Sequence, residues 1–315
     1  MQINILDIKG NALDDGPGIR SVIFVKGCPL SCVWCHNPES KIALPEISYD
    51  IRECIRCNDC IETCQQQALS HKNPFFIDRD ICQTCFECAD VCPTSAISRV
   101  GTYMDIEDIV AEIEKDLPFF QTSGGGVTFS GGEPTLYTDS LSELIQRFRS
   151  KGIHTLLETC GYFKWQSFKE KVFPHVDMIY FDIKLMDPEA HQQYCGKDNT
   201  LILNNFSKLI HTIQDSNIEV LPRVPLIPRI TATTINLTAI ATFLQEHHVR
   251  HVHLMEYNPL WIEKNAKMGI VNSYTNSKEM NQWMQPSEIA RYYDIFRDYG
   301  IMRSNFQQMP LYDNQ

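Results

Sequence analysis

No run of about 18 apolar residues, the length needed to cross a bilayer, occurs anywhere in the 315-residue chain, so no spanning helix is expected. The N-terminal residues Met1-Gln2-Ile3-Asn4 lack a basic flank followed by an apolar stretch, so no secretory signal is expected either. Cationic side chains are few: 28 Lys and Arg against 39 Asp and Glu leave a formal charge of −11, which argues against a broad nucleic-acid surface. The even-numbered cysteine framework of a small disulfide-stapled domain is missing too. Cysteine itself is plentiful: there are 13, an odd number, and most stand two or three residues apart. Such crowding points to metal sites in a reducing compartment, so a cytoplasmic, low-oxygen setting is expected. With 43% hydrophobic residues, the chain can bury the core of one large domain and a small insert.

Eleven of the cysteines form three runs. The first is Cys28-x3-Cys32-x2-Cys35. The others are Cys54-x2-Cys57-x2-Cys60-x3-Cys64 and Cys82-x2-Cys85-x2-Cys88-x3-Cys92-Pro93. The second and third match the bacterial two-cluster ferredoxin run, in which the fourth cysteine of each run ligates the other cluster. They are expected to hold two [4Fe-4S] clusters, with paired zinc knuckles as the alternative. The first run satisfies three irons of a cubane and leaves the fourth open, so chemistry can happen there. Zinc at this run would want a fourth Cys or His, and His36 stands too close to Cys35 to be an easy partner. Cys160 and Cys195, outside the runs, read as small buried hydrophobes. His247, His248, His251 and His253 read as surface or core positions rather than ligands.

Arg20–Lys26 is β-branched and reads as a strand entering the first cysteine run. Residues 47–99 contain two similar half-units, an internal repeat suited to a two-cluster module supported largely by its metal. Beyond them, helical periodicity at Ile106, Ile109, Val110, Ile113 and Leu117, with Asp105 as cap, opens an alternation of helices and strands. Strands are expected at 127–130, 154–158, 178–182, 218–224 and 251–256, giving six with the one at Arg20, and hence a parallel sheet. Working residues in such sheets sit at the carboxyl ends of strands. Cys28, Gly131-Gly132-Glu133-Pro134, Glu158-Thr159, Asp182-Ile183-Lys184 and Arg223 all fall there.

With Asp15-Gly16-Pro17-Gly18-Ile19-Arg20 upstream and Trp34-Cys35-His36-Asn37-Pro38 across the last ligand, the chain resembles the radical S-adenosylmethionine enzymes. Within them it looks like the activating enzymes of glycyl-radical enzymes, from Asp14 to about Gly269. The resemblance implies an α/β fold: a partial parallel (β/α)6 TIM-like barrel of residues 1–46 and 100–315, carrying a ferredoxin-like two-cluster insert at 47–99. It implies three [4Fe-4S] clusters and S-adenosylmethionine as cofactors, and flavodoxin or ferredoxin as reductant. Reductive cleavage would give methionine and a 5′-deoxyadenosyl radical, which would abstract hydrogen from a glycine of a large partner enzyme. Relatives activate lyases of choline, glycerol, hydroxyproline, aryl acids and sulfonates.

Cys28, Cys32 and Cys35 would then hold the catalytic cluster. Gly131 and Gly132 would let the cofactor's amine approach the backbone, and Glu133 would fix that strand end. Trp34, beside Cys35 and His36, offers an aromatic face for adenine. Asp182, Ile183 and Lys184 would lie beside the methionyl end, the lysine suiting its carboxylate. Arg223 is a further carboxylate contact. Glu158 and Thr159 match a place near a monovalent cation, and the Asp14-Asp15 loop a functional segment. One departure stands out: where relatives end the sixth strand with Leu-Pro-Tyr-His, this chain has Glu256-Tyr257-Asn258-Pro259, placing an uncharged amide at the histidine position. Two rival readings share some of these features. One is a radical S-adenosylmethionine enzyme acting on a small molecule or another peptide, the other a ferredoxin-type electron carrier.

Overall fold

The structure, a computed structural model, describes residues 1–304. An antiparallel pair, β1 (Gln2–Ala12) and β2 (Arg20–Val25), leads into the first cysteine run. Then come β3 (Glu46–Tyr49), the short helices α1 (Asp59–Thr63) and α2 (Glu87–Asp90), and β4 (Ile97–Val100). They are followed by β5 (Thr102–Asp105), α3 (Ile106–Glu114) and α4 (Leu117–Ser123). The alternating part is β6 (Gly126–Gly131), α5 (Thr138–Ser150), β7 (His154–Thr159), α6 (Trp165–Lys171), β8 (Met178–Asp182), α7 (Pro188–Cys195) and α8 (Thr200–Thr212). It continues with β9 (Glu219–Pro225), α9 (Thr234–Glu246), β10 (His251–Met255), α10 (Trp261–Lys267), α11 (Pro286–Asp298) and β11 (Met302–Arg303).

One nine-stranded sheet runs β11-β10-β9-β8-β7-β6-β2-β1-β5. All pairings from β2 to β11 are parallel, and β1 and β5 add an antiparallel edge. The six expected strands are β2, β6, β7, β8, β9 and β10, in one unbroken parallel series. Their sequences are near-continuous apolar runs because helices cover a parallel sheet on its outer face while the inner face is also filled. Phe129, Leu157, Ile179 and Val224 are accordingly buried. The additional strands β1, β5 and β11 escaped the sequence reading for different reasons. β5 and β11 are four and two residues long, too short for a periodic signal, and the polar–apolar alternation of β1 changes phase at Ile5-Leu6. Among the described residues, no helix is long and apolar enough to cross a membrane.

Between β3 and β4 the chain builds a second, smaller hydrophobic cluster from Ile47, Cys60, Leu69, Phe76, Ile77, Cys88 and Ile97. The internal repeat is visible in the backbone. Arg56, Asn58 and Gln67 take left-handed φ angles of 59°, 71° and 53°, and their equivalents Thr84, Phe86 and Ser95 take 50°, 70° and 56°. Left-handed backbone is costly for side chains with a Cβ, so its recurrence at matched positions marks a demanded geometry. The β3–β4 unit is tied to the sheet. Lys26, wholly buried, donates to Glu46 Oε2 and to the Glu39 carbonyl, each at 2.6 Å. α10 clamps it from above through Lys267–Asp50 (2.8 Å) and Glu263–Arg52 (2.9 Å), while Lys264 reaches Glu39 at 3.0 Å beside the first cysteine run.

The Asp14–Arg20 loop packs at the opposite end of the strands from Cys28. Buried Arg20 donates to the Pro17 and Val127 carbonyls and to Thr128 Oγ1, locking the loop under β6. A Cβ at Gly18, whose φ is +68°, would lie 2.4 Å from the Gly125 nitrogen, so the turn admits only glycine.

Candidate active site

Each of the six parallel strands β2, β6, β7, β8, β9 and β10 delivers a polar group to one cavity of about 260 Å³ at the carboxyl end of the sheet. β2 leads to Cys28, Cys32, Trp34, Cys35 and His36; β6 to Ser130, Gly131 and Gly132; β7 to Glu158, Thr159 and Cys160. β8 brings Asp182 and Lys184, β9 brings Arg223, and β10 ends in Met255–Asn258. Of the expected site residues, two stand outside its lining, Glu133 and Ile183. Ile183 is core, its nitrogen donating to the Arg223 carbonyl. Glu133 is wholly buried and its carboxylate is consumed by structure. Oε1 accepts from Thr135 N, Thr135 Oγ1 and Thr159 Oγ1, and Oε2 accepts from Cys160 N at 2.7 Å. Glu133 is therefore the brace that joins the end of β6 to the end of β7.

The glycines serve the brace as well as the cavity. Gly131 has φ +104°, and an added Cβ would lie 2.5 Å from backbone atoms of Val25; at Gly132 it would lie 2.0 Å from the Gly27 carbonyl. The backbone of β6 thus turns against β2 and the cysteine loop at a distance only glycine tolerates.

The charged residues form a ladder across four strand ends. Ser130 Oγ donates to Glu158 Oε2 (2.6 Å), Arg223 Nη1 donates to Glu158 Oε1, Arg223 Nε donates to Asp182 Oδ1 (2.9 Å), and Lys184 Nζ donates to Asp182 Oδ2 (3.0 Å). Burial alone would raise the Asp182 carboxyl, but Arg223 and Lys184 outweigh it and hold it below the ordinary range. Burial likewise opposes the charges of Lys184 and Arg223, and their carboxylate partners raise both above their ordinary values. Asp182, Lys184 and Arg223 are therefore all charged at neutral pH. His36 is pushed down to about 4 by burial and by Lys264, so its ring is neutral.

Glu158 and Thr159, the expected neighbours of a monovalent cation, are both engaged with protein partners. Both Glu158 oxygens already accept hydrogen bonds, from Ser130 and Arg223, and the Thr159 hydroxyl donates to Glu133. Asn258 does line the cavity; its Oδ1 accepts from Leu260 N at 3.2 Å. Trp34 is 4% exposed, and packs with the core as well as the cavity.

The donor set at the β2 end is soft sulfur without an interleaved carboxylate, the chemistry that suits iron–sulfur ligation. Two further cavities are ringed by thiols. One is lined by Cys54, Cys57, Cys60 and Cys92, the other by Cys64, Cys82, Cys85 and Cys88. The fourth cysteine of each run has crossed to the other run's cavity, as the ferredoxin-type spacing requires. Ala68 N approaches Cys64 Sγ at 3.3 Å and Ile97 N approaches Cys92 Sγ at 3.5 Å. Among the described residues, no three His, Cys, Asp or Glu side chains converge on a single point as one metal ion would need. His247 is occupied by the Phe243 carbonyl and Ser207.

Sequence reasoning missed Ser130, which anchors Glu158, and Tyr257, a buried member of the cavity lining whose hydroxyl accepts from Trp261 Nε1 and donates to the Met280 carbonyl. The strand-end rule held the signal for Ser130, next to Gly131. Cys160 and Cys195 are buried as expected, 8% and 0% exposed, but both lie against the first cysteine run.

A family profile described as "4Fe-4S single cluster domain" matches residues 14–201. The chain is 40% identical over 269 residues to the trans-4-hydroxy-L-proline dehydratase activating enzyme of Clostridioides difficile, covering 84% of this chain and 87% of that one. It is 36% identical over 306 residues to the (2S)-3-sulfopropanediol dehydratase activating enzyme of Klebsiella oxytoca, covering 94% and 95%. Its fold is similar to that of a radical SAM methyltransferase from Sphaerobacter thermophilus, with a TM-score of 0.54 over 95% of this chain and 76% of that one, at 11% identity.

Proposed function

The chain belongs to the activating enzymes of glycyl-radical enzymes, within the radical S-adenosylmethionine superfamily, and from that membership we propose how its own residues divide the work. When bound, the cluster at the first cysteine run supplies one electron that cleaves S-adenosylmethionine to methionine and a 5′-deoxyadenosyl radical, which takes hydrogen from a glycine of the partner enzyme. Cys28, Cys32 and Cys35 would hold that cluster, and the run's lack of a fourth thiol would leave it free to bind S-adenosylmethionine.

Lys184 and Arg223 present cations to the cavity that would suit the methionyl carboxylate, and Asp182 keeps both in place. Gly131 and Gly132 expose backbone toward the amine, at an edge that Glu133 stiffens. Trp34 offers its ring to adenine, and Asn258 supplies a neutral amide on the β10 side where relatives carry histidine. Leu30 and Ile227, apolar members of the same lining, exclude water from a reactive intermediate. The observation that carries this reading is the meeting of three thiols with the Glu158–Arg223–Asp182–Lys184 ladder in one cavity.

Residues 47–99 act as a ferredoxin-like insert whose two four-thiol cavities each hold a [4Fe-4S] cluster, three clusters in all, and relay electrons from flavodoxin or ferredoxin in the cytoplasm. Support comes from the crossed thiol sets and the repeated left-handed positions. The test is a product measurement. Anaerobically reduced, iron-loaded protein given S-adenosylmethionine is expected to release 5′-deoxyadenosine and methionine in equal amounts. A protein that accepts electrons but releases neither is a carrier, and this assignment fails.

A further inference from the structure

The nine-stranded sheet does not close on itself: its order ends at β11 on one side and at β5 on the other. The seam between the β1–β2 side and α10, which follows β10, holds a second cavity of about 440 Å³. Leu6 and Phe24 line it from β1 and β2, Ser48 and Val100 from the insert strands β3 and β4, and Lys264 and Met268 from α10. It adjoins the active cavity at two points. Asn37 lines both. Phe24 is the register neighbour of Ser130 across the β2–β6 pairing, with one of the two residues in each cavity. The approach over the strand ends is covered instead, by the segment 272–285. Asn272 Nδ2 donates to the Val33 carbonyl, the Tyr274 ring meets the Tyr194 ring edge-on with centroids 6.0 Å apart, Glu279 pairs with Arg229, and the Met280 carbonyl accepts from the Tyr257 hydroxyl (2.7 Å). Those anchors belong to the cysteine loop, α7, the turn after β9 and the turn after β10.

We propose that the seam cavity is a docking groove for an extended segment of the partner enzyme, which carries its glycine past Asn37 into the active cavity, and that the insert recognises this partner through Ser48 and Val100. The inference rests on the activating role given above and names where its partner is held. Its ground is reach. The hydrogen to be taken lies on main chain, at a glycine Cα, so a run of polypeptide has to enter, and the active cavity, at about 260 Å³, is the smaller of the two. The lining suits a backbone. Leu6, Phe24, Val100 and Met268 offer apolar contact, while Asn37, Ser48 and Lys264 offer polar groups that an extended chain can pair with along its edges. Without β3 and β4 the groove loses one wall, so the insert serves partner recognition as well as electron relay.

The test compares glycyl-radical formation on a partner with cleavage in the absence of one, using the iron-loaded full chain. The probe is whichever candidate glycyl-radical enzyme gives a doublet with the parent protein and S-adenosylmethionine. Leu6→Trp fills the groove from the sheet side and Ser48→Trp from the insert side. Each is expected to lower the doublet yield about tenfold at limiting partner, the scale of a well-placed interface change. Partner KM rises with it, while partner-free release of 5′-deoxyadenosine under dithionite stays at the parental rate. Ser48→Ala, which leaves the groove open, and Trp283→Ala, at an exposed position of the 272–285 segment, are expected to match the parent. Parental doublet yields in both tryptophan variants overturn the proposal. So does a yield lost in Trp283→Ala and kept in the groove variants, which would bring the partner over the strand ends. Groove variants that fail with flavodoxin as reductant but form the doublet normally with dithionite would assign the groove to the electron donor, and also overturn it. Where a tryptophan variant loads iron poorly, amide hydrogen exchange in the parent decides: the partner is expected to slow exchange at 46–49 and 264–268, and slowing confined to 272–285 counts against the groove. A parent that releases 5′-deoxyadenosine but gives no doublet with any candidate removes the partner reading itself, and the inference with it.

Discussion

Replacing Cys32 by alanine drops 5′-deoxyadenosine formation to background, a loss greater than the ~100-fold that outer-shell changes around a metal typically cost. Cys32 is the most buried of the three thiols in its run and the middle cysteine of a loop held at Gly27, Cys28, Ser31 and Val33 by backbone hydrogen bonds. That backbone scaffold does not depend on the Cys32 side chain, so the loop keeps its course when the thiol is lost. Two thiolates remain, too few to retain a cubane beside an open iron. The eight cysteines between β3 and β4 surround separate cavities, so their iron is expected to stay and remain visible by its own spectrum. Iron content, the spectrum of the reduced protein and the 5′-deoxyadenosine yield check this together. Parental cleavage in Cys32→Ala would show that the open cluster is held elsewhere.

Arg223→Met costs about 3–5 kcal/mol of folding stability, the usual range when one partner of a buried ion pair is removed. The guanidinium spans two carboxylates, Glu158 and Asp182, and the side chains are 10%, 11% and 18% exposed. Methionine fills similar volume without charge, leaving Glu158 with Ser130 alone and Asp182 with Lys184 alone. Arg223→Lys loses less stability, because it keeps the charge, but an ammonium cannot fork to both carboxylates. The pH dependence has a definite sign. Asp182 is held below its ordinary range in the folded protein, so its contribution is fully present above the unfolded value of about 3.9 and is lost as pH falls through the lower folded one. Chemical denaturation of the iron-loaded variants under anaerobic conditions measures the loss. An unchanged midpoint for Arg223→Met would mean that the ladder is not a structural unit.

Much of this organisation was legible in the residues themselves, for identifiable reasons. The parallel strands could be found because strands buried on both faces write continuous apolar text, as at Met178–Asp182, where expected and observed limits coincide. Thiol spacing carried the cysteine runs, and even the crossing of Cys64 and Cys92 to the opposite cavity follows from it. Edge strands were lost because β5 and β11 pair through backbone, which leaves no periodic trace in so few residues. Glu133 shows a deeper limit. Its setting in Gly-Gly-Glu-Pro marks a strand end, yet only the fold shows that Thr135, Thr159 and Cys160 claim its carboxylate. The family resemblance paired Glu158 with Thr159, but successive strand residues point to opposite faces, and their hydrogen bonds run to different partners. Cys195 carried no signal at all, since its meeting with Cys32 depends on how α7 packs over the cysteine loop.

The central claim is that this site generates a radical destined for a partner's glycine. Its most direct test is an anaerobic electron paramagnetic resonance spectrum of the reduced, iron-loaded protein mixed with S-adenosylmethionine and each candidate glycyl-radical enzyme in turn. The account predicts a persistent glycyl-type doublet on the partner, absent without S-adenosylmethionine and absent with Cys32→Ala. Accumulating 5′-deoxyadenosine with no doublet on any such partner would contradict it and assign the radical to a different substrate.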